Sequence, residues 1–489
     1  MSSKKSEKNK KSQIRVRIAP SPTGLFHIGT ARTALFNFLF AKKNGGQFIL
    51  RIEDTDKKRS QKYFEQDIID NLDWLGLKRD EGPIVGGEYG PYKQSERKEL
   101  YKKHIDKLLK EGKAFYCFSQ ERNQDREKSK KEVFWSPDRD LSPKEADKKV
   151  KAGMPYIIRF KTPKNKKISF KDLIRKEVAF ETNIIGDFSI AKNINEPLYN
   201  FAAVVDDYNM KISHVIRGED HISNTPKQIL LQNAMGFKSP KYAHLPLILG
   251  PDKTKLSKRH NTVSLKDYKK DGYLPEAIVN FMALLGWNPG TDQEIFSMSQ
   301  LIDSFSLNKV QLSGAVFNLN KLDWMNGSYI RSLPEKTYVQ LALPYLEKHK
   351  VSKKDLEKVV LVSRGRLKKL SDLKRDTNFF FEEPDYDTSL LYWKKMTKKD
   401  VYKSLEEARQ QIKSLKKEQL KKENIEIIFL KKAKEINDKD LGFFLWPLRA
   451  ALTGVSASPG PFEMITVLGK EESLLRVTRA LNKVKKSKE

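Results

Sequence analysis

The sequence of 489 residues lacks the features that define several large protein classes. Cys117 is its only cysteine, which excludes an internal disulfide and a zinc site with two or four cysteine ligands. The histidines are scattered and no pair has the spacing His-x-x-x-His, so we predict no structural metal. No apolar run approaches the roughly 18 residues of a membrane-spanning helix, and residues 1–13 contain no apolar segment of a secretion signal. We therefore expect a cytoplasmic protein with no membrane partner.

Acidic residues are few compared with basic ones. The chain has 94 Lys and Arg residues against 63 Asp and Glu residues, which gives a formal net charge of +31. This charge favours a polyanionic partner such as nucleic acid, although a solvated lysine surface would give the same composition. The lysine-rich ends at residues 1–13 and 483–489 are predicted to be disordered.

Apolar residues near the N-terminus follow the order of a βαβα unit. Residues 14–18 alternate apolar residues with arginine, which predicts a half-buried strand, and helical spacing follows over residues 28–43. A strand is predicted at residues 47–52 and a helix at residues 64–75. This order predicts a parallel, doubly wound α/β sheet. The same rhythm returns with a strand at 215–217, a helix at 226–235 and a strand at 244–249.

Two short polar motifs fall where such a sheet binds ligands. His27-Ile28-Gly29-Thr30 opens the first helix, whose N-terminus favours a phosphate group. Lys255-Leu256-Ser257-Lys258-Arg259 follows the last strand and offers three cations to a triphosphate. When each motif is taken alone, the simpler explanation is favoured: a histidine that caps a helix for the first and a solvated basic loop for the second. The two together in a split α/β sheet indicate an ATP site.

The two motifs resemble the signatures of class I aminoacyl-tRNA synthetases. Further motifs, in the same order along the chain, are similar to those of bacterial-type glutamyl-tRNA synthetases, and the likeness extends over most of the sequence from Ile14. The further motifs are residues 17–24, 51–56, 90–97, 204–207, 215–221 and 447–454.

The resemblance implies a class I Rossmann-type catalytic domain that is split by an α+β insertion and followed by an all-α anticodon-binding region. It implies glutamate–tRNA ligase activity, ATP with Mg²⁺ as cofactors, L-glutamate and tRNA(Glu) as partners, and a monomer. The implied domains are a disordered basic tail at 1–13, the catalytic domain at 14–116 and 195–250, an acceptor-end-binding insertion at 117–194, a stem-contact domain with the Lys-rich loop at 251–335, and the helical anticodon-binding domain at 336–489.

The chemistry of the candidate residues agrees with this implication. Glutamate needs a cation for its side-chain carboxylate, which Arg17 or Arg217 would provide, and an anion for its ammonium group, which Glu53 would provide. The alternative is a buried ion pair of these arginines with Glu53 or Asp54. By resemblance, the catalytic residues are His27 and Lys258; the glutamate site is Arg17, Ala19, Ser21, Glu53, Tyr199 and Arg217; the ATP site is His27, Gly29, Glu219, Asp220, His221, Leu247, Ile248, Leu249, Lys255 and Lys258.

The chain departs from the family pattern at two places. Ala203 stands where some relatives carry an asparagine, so one substrate hydrogen bond is expected to be absent or made differently. The Cys-x-Cys zinc knob of many bacterial relatives is incomplete, because Cys117 has no second cysteine two residues away. We therefore predict no structural zinc.

The C-terminal third separates this chain from glutaminyl-tRNA synthetases, which are expected to read the anticodon with β-barrels. Its pattern of Leu, Lys and Glu is helical, and an apolar stripe runs from Leu441 to Leu452. Arg366 matches an arginine that is associated with strict anticodon choice. Two rival functions are a tRNA-binding paralogue without ligase activity and a small-molecule nucleotidylyltransferase. By resemblance, the anticodon contacts are Arg364, Arg366, Arg449 and Ser458.

Overall fold

The computed structural model describes residues 14–119, 133–256, 264–349 and 351–487. The predicted disordered tail at residues 1–13 lies outside these ranges. The described chain divides into two compact units. The first is built from the chain before Lys270 together with Pro275–Leu322, and the second from Lys270–Leu274 together with the chain from Asp323 onward. A search of the described residues finds no helix with the length and apolar character needed to span a membrane.

All the strands of the described ranges belong to the first unit. They are β1 (Arg15–Ile18), β2 (Gln47–Leu50), β3 (Ala114–Cys117), β4 (Ile157–Phe160), β5 (Lys167–Asp172), β6 (Lys176–Glu181), β7 (Phe188–Ala191), β8 (His214–Gly218), β9 (Lys241–Leu245), β10 (Ile248–Leu249) and β11 (Ala315–Val316).

The central strands run parallel, as predicted. β1 pairs with β2 in parallel, β8 pairs with β9 in parallel, and the backbone N–H of Ser213 donates to the carbonyl of Arg15 at 2.9 Å. The start of β8 therefore lies beside β1. The carboxyl ends of these strands point the same way, which is the edge where open α/β sheets bind ligands.

The segment predicted as an insertion contributes to two sheets. β3, β4 and β7 form an antiparallel sheet of their own, with Cys117 opposite Ile157. β5 and β6 form an antiparallel hairpin, and β5 also pairs in parallel with β9, where Asp172 lies opposite Tyr242. Part of the insertion thus packs on itself, and part of it extends the central sheet.

Helices cover the sheet and continue to the end of the first unit. α1 begins after the N-cap residue His27 and ends at a basic turn, as predicted. The helices are α1 (Ile28–Lys43), α2 (Lys62–Trp74), α3 (Lys98–Lys110), α4 (Pro143–Lys151), α5 (Tyr199–Asn209), α6 (Thr225–Met235), α7 (Leu265–Lys270), α8 (Pro275–Leu284), α9 (Met298–Ser304) and α10 (Leu319–Ser332), the last of which continues into the second unit.

Two strand predictions need correction. β1 is buried along its whole length rather than on one face, with Arg15 and Arg17 exposed by only 5% and 4%. Each arginine has an internal acidic partner, so the alternation with arginine marked buried ion pairs and not solvent exposure. The strand predicted at residues 244–249 is divided, because Pro246 has no N–H to donate to a ladder, and β9 begins earlier, at Lys241.

The second unit is helical throughout its described residues, as predicted. Phe444, Leu448 and Leu452 of the predicted stripe are buried in its core. Its helices after α10 are α11 (Glu335–Ala342), α12 (Lys353–Ser363), α13 (Leu373–Asp376), α14 (Asn378–Phe381), α15 (Lys398–Ser414), α16 (Lys422–Asn437), α17 (Gly442–Thr453) and α18 (Pro461–Lys486), which is interrupted at Gly469.

The prediction of disorder from residue 483 is wrong over residues 483–486. α18 continues through them, Val484 is fully buried, and Nζ of Lys483 donates to the carbonyl of Tyr386 at 2.9 Å. Val484 lies between lysines but continues the helical spacing of Val477 and Leu481, and all three fill the core of this unit.

Candidate active site

A cleft of about 1240 Å³ lies at the carboxyl ends of the parallel strands in the first unit. Ala19 and Ser21 follow β1, Glu53 follows β2, and Arg217 lies near the end of β8. The loop after β1 is held against the segment after β2, because the N–H of Glu53 donates to the carbonyl of Pro20 at 3.1 Å. The fold of the sheet therefore brings residues that are far apart in sequence to one cavity.

The N-terminus of α1 forms one wall of the cleft. Nδ1 of His27 accepts from the N–H of Thr30 at 3.4 Å, so this ring caps the helix as the simpler alternative expected, and it also faces the cavity. Burial and the charge of Lys255 lower the pKa of His27, which keeps the imidazole neutral near pH 7. A Cβ atom at Gly29 would lie 3.2 Å from two atoms of this ring, so glycine leaves the imidazole room. A neutral ring and a free helix N-terminus suit a phosphate group.

A buried chain of ion pairs holds two of the predicted glutamate ligands. Nε of Arg17 donates to Oδ1 of Asp207 at 3.1 Å, and Nη1 of Arg51 donates to the same oxygen at 2.6 Å. Nη2 of Arg51 donates to Oε1 of Glu53 at 2.9 Å. The alternative pairing of Arg17 with Glu53 or Asp54 is thus replaced by a pairing with Asp207. Burial raises the pKa of Glu53 in spite of Arg51.

Arg217 is a buried cation at the edge of the cleft, and one of its donors has no partner among the described residues. Its side chain is buried, Nε donates to Nε2 of His244 at 3.3 Å, and Nη2 donates to Oγ1 of Thr225 at 2.8 Å. Within the described ranges no atom accepts a hydrogen bond from its Nη1, although that atom is buried. Arg217 lines the cleft, and a buried donor without a partner favours an acceptor from a ligand bound there.

Two further ring systems close the same end of the cleft. The hydroxyl group of Tyr199 lies 3.1 Å from Nδ1 of His221, and both side chains line the cavity. Burial and the positive charge of Arg217 lower the pKa of His221 to about 4, so this ring is neutral at physiological pH. Ala203 is buried in α5 and brings no polar group to the site.

The predicted nucleotide residues divide into three groups. Gly29, Asp220 and Lys255 line the cleft, and Nζ of Lys255 lies 3.1 Å from Oδ2 of Asp220. Leu247 and Ile248 line it as well. Glu219 and Leu249 do not: Oε1 of Glu219 accepts from the N–H of Leu247 at 2.8 Å, so this carboxylate shapes the wall from behind. The predicted catalytic residue Lys258 lies outside the described residues.

Arg32 also lines the cleft and was missed by the sequence analysis. It lies on the buried side of α1, and Nη1 donates to the carbonyl of Leu285 at 3.1 Å. Burial lowers its pKa to about 10, and the charges of Glu219 and Asp220 oppose this shift. An arginine within the apolar repeat of α1 was the available signal.

Three of the four predicted anticodon residues lie together in the second unit. Nη1 of Arg366 donates to the carbonyl of Ser458 at 2.9 Å, and the guanidinium of Arg449 lies 4.5 Å from the centre of the Trp446 ring. Burial and the nearby charge of Arg366 lower the pKa of Arg449. Arg364 is separate in its bonding, since Nη2 donates to the carbonyl of Arg331 at 2.8 Å near the end of α10.

Comparison with known families identifies the chain's relatives. Residues 13–324 match the family described as tRNA synthetases class I (E and Q), catalytic domain. The chain belongs to this family. Residues 337–481 match the family described as an anticodon binding domain, so both parts of this class I synthetase are accounted for.

Known relatives cover nearly the whole synthetase. It is 45% identical to the glutamate–tRNA ligase of Carboxydothermus hydrogenoformans, over 96% of this chain and 100% of the relative, and 41% identical to glutamate–tRNA ligase 1 of Syntrophomonas wolfei, over 97% of each. A crystal structure of a glutamate tRNA ligase from Elizabethkingia meningosepticum in complex with its amino acid superposes with a TM-score of 0.84 at 35% identity, covering 96% of this chain and 99% of that one. The predicted class I fold with a helical anticodon-binding region is confirmed.

The predicted absence of zinc concerns Cys117. Its thiol is buried and lies 3.3 Å from Oγ of Ser136 in this synthetase. Among the residues that the structure describes, no three His, Cys, Asp or Glu side chains are grouped to hold a metal ion.

Proposed function

We propose that the chain is a glutamate–tRNA ligase that activates L-glutamate with ATP and transfers it to the 3′ end of tRNA(Glu) for protein synthesis in the cytoplasm. The observation that carries this proposal is the buried Arg217, which lines the same cleft as the N-terminus of α1 and whose Nη1 has no acceptor among the described residues. A buried donor on a cation favours an anionic group, and a glutamate side chain supplies one. The curated relatives named as glutamate–tRNA ligases support the same substrate.

At the amino-acid end, Arg217 would bind the side-chain carboxylate. Arg17 would assist through the part of its guanidinium that Asp207 leaves unused, while Ala19 and Ser21 border the substrate on the loop after β1. Glu53 and Tyr199 would face the ammonium group. A cation beside Glu53 would offset the burial that raises the pKa of this carboxyl, so glutamate binding would favour its ionised form.

At the nucleotide end, the α1 N-terminus with His27 and Gly29 would bind the phosphates of ATP. Asp220, His221 and the segment after β9 would surround the ribose and the base. Lys255 and Lys258 belong to the loop that would close on the triphosphate. Mg²⁺ neutralises phosphate charge when it is bound with ATP, and we expect the phosphates rather than a carboxylate cluster to carry it.

The reaction needs no protein nucleophile. An oxygen of the glutamate α-carboxylate attacks the α-phosphorus, the bond to the bridging oxygen breaks, and pyrophosphate leaves with the electron pair. A terminal ribose hydroxyl of the tRNA then attacks the carbonyl carbon of glutamyl-adenylate and AMP leaves. His27 and Lys258 would stabilise the negative charge that develops during the first step. Arg366, Arg449 and Ser458 would contact the anticodon bases, with Arg364 shaping that region.

Charging assays with purified tRNA(Glu) test the proposal. Arg217→Gln should raise the KM for glutamate about tenfold to a hundredfold, because a hydrogen bond from a charged donor contributes about 1.5–3 kcal/mol. His27→Ala and Lys258→Ala should lower kcat about a hundredfold or more, since each removes stabilisation of developing charge. His104→Ala is a matched control on α3, outside the cleft, and should behave as wild type. Full activity of both the His27 and the Lys258 variants would contradict the assignment.

A further inference from the structure

The side of Arg217 that faces away from the cleft is held by a pair of buried residues that the reaction scheme does not use. His244 lies directly beside Arg217 on the neighbouring parallel strand, and its ring is fully buried. Nε of Arg217 donates to Nε2 of His244 at 3.3 Å. Nδ1 of His244 lies 2.7 Å from Oδ2 of Asp172, which is exposed by only 2%. The order along this line is carboxylate, imidazole, guanidinium.

The hydrogen bonds of this line fix the tautomer of His244. Asp172 receives four donors, since Oδ1 accepts from the N–H groups of Ile174 and Arg175, and Oδ2 accepts from the N–H and Nδ1–H of His244. A carboxylate with only donors around it is ionised, which agrees with the lowered pKa of Asp172: burial opposes that shift, and the bond from His244 favours it. The proton of the neutral ring therefore lies on Nδ1, and Nε2 is an acceptor.

This acceptor determines how Arg217 lies. Guanidinium nitrogens only donate, so Nε of Arg217 finds a partner at His244 only if Nε2 carries no proton. With Nε on His244 and Nη2 on Oγ1 of Thr225, which itself lies 3.0 Å from Nε2 of His244, Nη1 is the nitrogen of Arg217 that is left for a ligand in the cleft. Burial lowers the pKa of His244 in spite of Asp172, which also favours the neutral ring.

We propose that Asp172 and His244 are positioning residues for Arg217, and that they set the affinity for the glutamate side chain without touching the substrate. This inference rests on the proposed function of Arg217. It also gives the β5–β6 hairpin, which belongs to the segment predicted as an acceptor-end-binding insertion, an indirect role in the amino-acid site, through Arg217. Loss of the line should leave Arg217 charged and buried but held only through Nη2, by Thr225 and the carbonyl of His221, so its guanidinium can pivot and fewer molecules present Nη1 to the substrate.

Two variants of His244 test the contacts of its two ring nitrogens independently. The amide of asparagine reaches the position of Nδ1, so His244→Asn keeps the bond to Asp172 and loses the acceptor for Arg217. Glutamine reaches the position of Nε2, so His244→Gln keeps an acceptor near Arg217 and loses the bond to Asp172. His214 is also a buried histidine, but it lies on β8, and its Nδ1 is 2.8 Å from Oγ of Ser213. The Asn and Gln variants of His214 are the matched controls.

The experiment measures the KM for glutamate and for ATP in tRNA(Glu) charging, glutamate binding by calorimetry, and the thermal midpoint. His244→Asn should raise the KM and the dissociation constant of glutamate about tenfold or more, the scale of one hydrogen bond to a charged group, and leave the KM for ATP within about twofold. His244→Gln should raise the KM and the dissociation constant of glutamate less than His244→Asn does. The two His214 variants should leave both constants unchanged. Asp172→Asn should act like His244→Asn, because an amide nitrogen opposite Nδ1 forces the proton of His244 onto Nε2, against Arg217.

Several results would overturn the proposal. The first is a KM and a dissociation constant of glutamate that are the same for His244→Asn and wild type. The second is an equal rise of these constants in His244→Asn and His244→Gln together with an equal loss of thermal stability, because a merely structural role of His244 would produce that result. If wild type binds and charges glutamate while these results are found, only the positioning role fails. If wild type binds no glutamate, the proposed function fails with it.

Discussion

Replacing Asp207 by asparagine tests whether the buried ion pairs hold the glutamate ligands in place. Asp207 is exposed by 6% and accepts from Arg17 at 3.1 Å and from Arg51 at 2.6 Å. Burial alone would raise its pKa, but Arg17 and Arg51 hold the pKa below its ordinary value, so the carboxylate is charged in the folded protein. The asparagine side chain has nearly the same size, so the substitution removes one charge and leaves two arginines short of a partner.

The expected loss of stability is large for a single isosteric change. Removing one partner of a buried ion pair costs about 3–5 kcal/mol. For a unit of this size, about 2 °C of melting temperature corresponds to 1 kcal/mol, so the midpoint of the first unit should fall by about 6–10 °C. The glutamate KM should rise as well, because Arg17 loses the contact that orients it.

Differential scanning calorimetry of the full chain, with and without glutamate, measures the effect. Asp140→Asn is a matched control in the same unit, since Asp140 pairs with Lys161 at 2.9 Å but its side chain is 77% exposed, and this variant should melt with wild type. A midpoint for Asp207→Asn within 1 °C of that control, by the scale of about 2 °C per kcal/mol, would refute the reasoning.

Two further predictions concern other parts of the chain. Arg366→Gln should loosen the choice of tRNA and raise charging of tRNA(Gln) relative to tRNA(Glu) about tenfold, since a good base contact is worth about 1–3 kcal/mol. Arg364→Gln should lower the thermal midpoint and leave this ratio unchanged, because Arg364 donates to the backbone carbonyls of Ile330, Arg331 and Leu333, whereas Arg366 donates only to that of Ser458 among the described residues. Burial and Lys241 lower the pKa of His214 from 6.5 to about 4, so its neutral form stabilises the fold above pH 6.5 and this stabilisation is lost as the pH falls towards 4. Between pH 7 and pH 4.5 the thermal midpoint should therefore fall less for His214→Gln than for wild type, by the equivalent of about 2 kcal/mol, and parallel curves for the two proteins would count against this assignment.

The sequence predicted the elements that depend on local patterns. α1 and α2 follow from apolar spacing, and the parallel sheet follows from the order of strands and helices. The same patterns failed where a polar residue had a distant partner. Arg17 and Asp207 are 190 positions apart, so periodicity alone classed the arginine as exposed. The course of α18 past residue 483 was missed because the lysines outnumber the buried residues between them.

The candidate site shows the same division. Its cleft residues after β1, β2 and β8 could be placed because parallel strands end at one edge. The partners behind them could not. Asp172 and His244 are 72 positions apart, and nothing in either local pattern indicates that they meet. The alternative pairing of Arg17 with Glu53 or Asp54 had the correct chemistry and the wrong partner, because no local pattern brings Asp207, 190 positions away, to Arg17.

The charges at the amino-acid end explain why an acidic substrate suits this cleft better than its neutral amide. Arg17 contacts the buried carboxylate of Asp207, and Arg51 contacts the carboxylates of Asp207 and Glu53. Arg217 has no carboxylate in direct contact among the described residues: its Nε donates to the neutral ring of His244, and the ionised Asp172 lies on the far side of that ring. A glutamate side chain would give this guanidinium a carboxylate in direct contact, whereas a glutamine side chain would leave it with neutral partners only. We expect this contact to favour glutamate over glutamine.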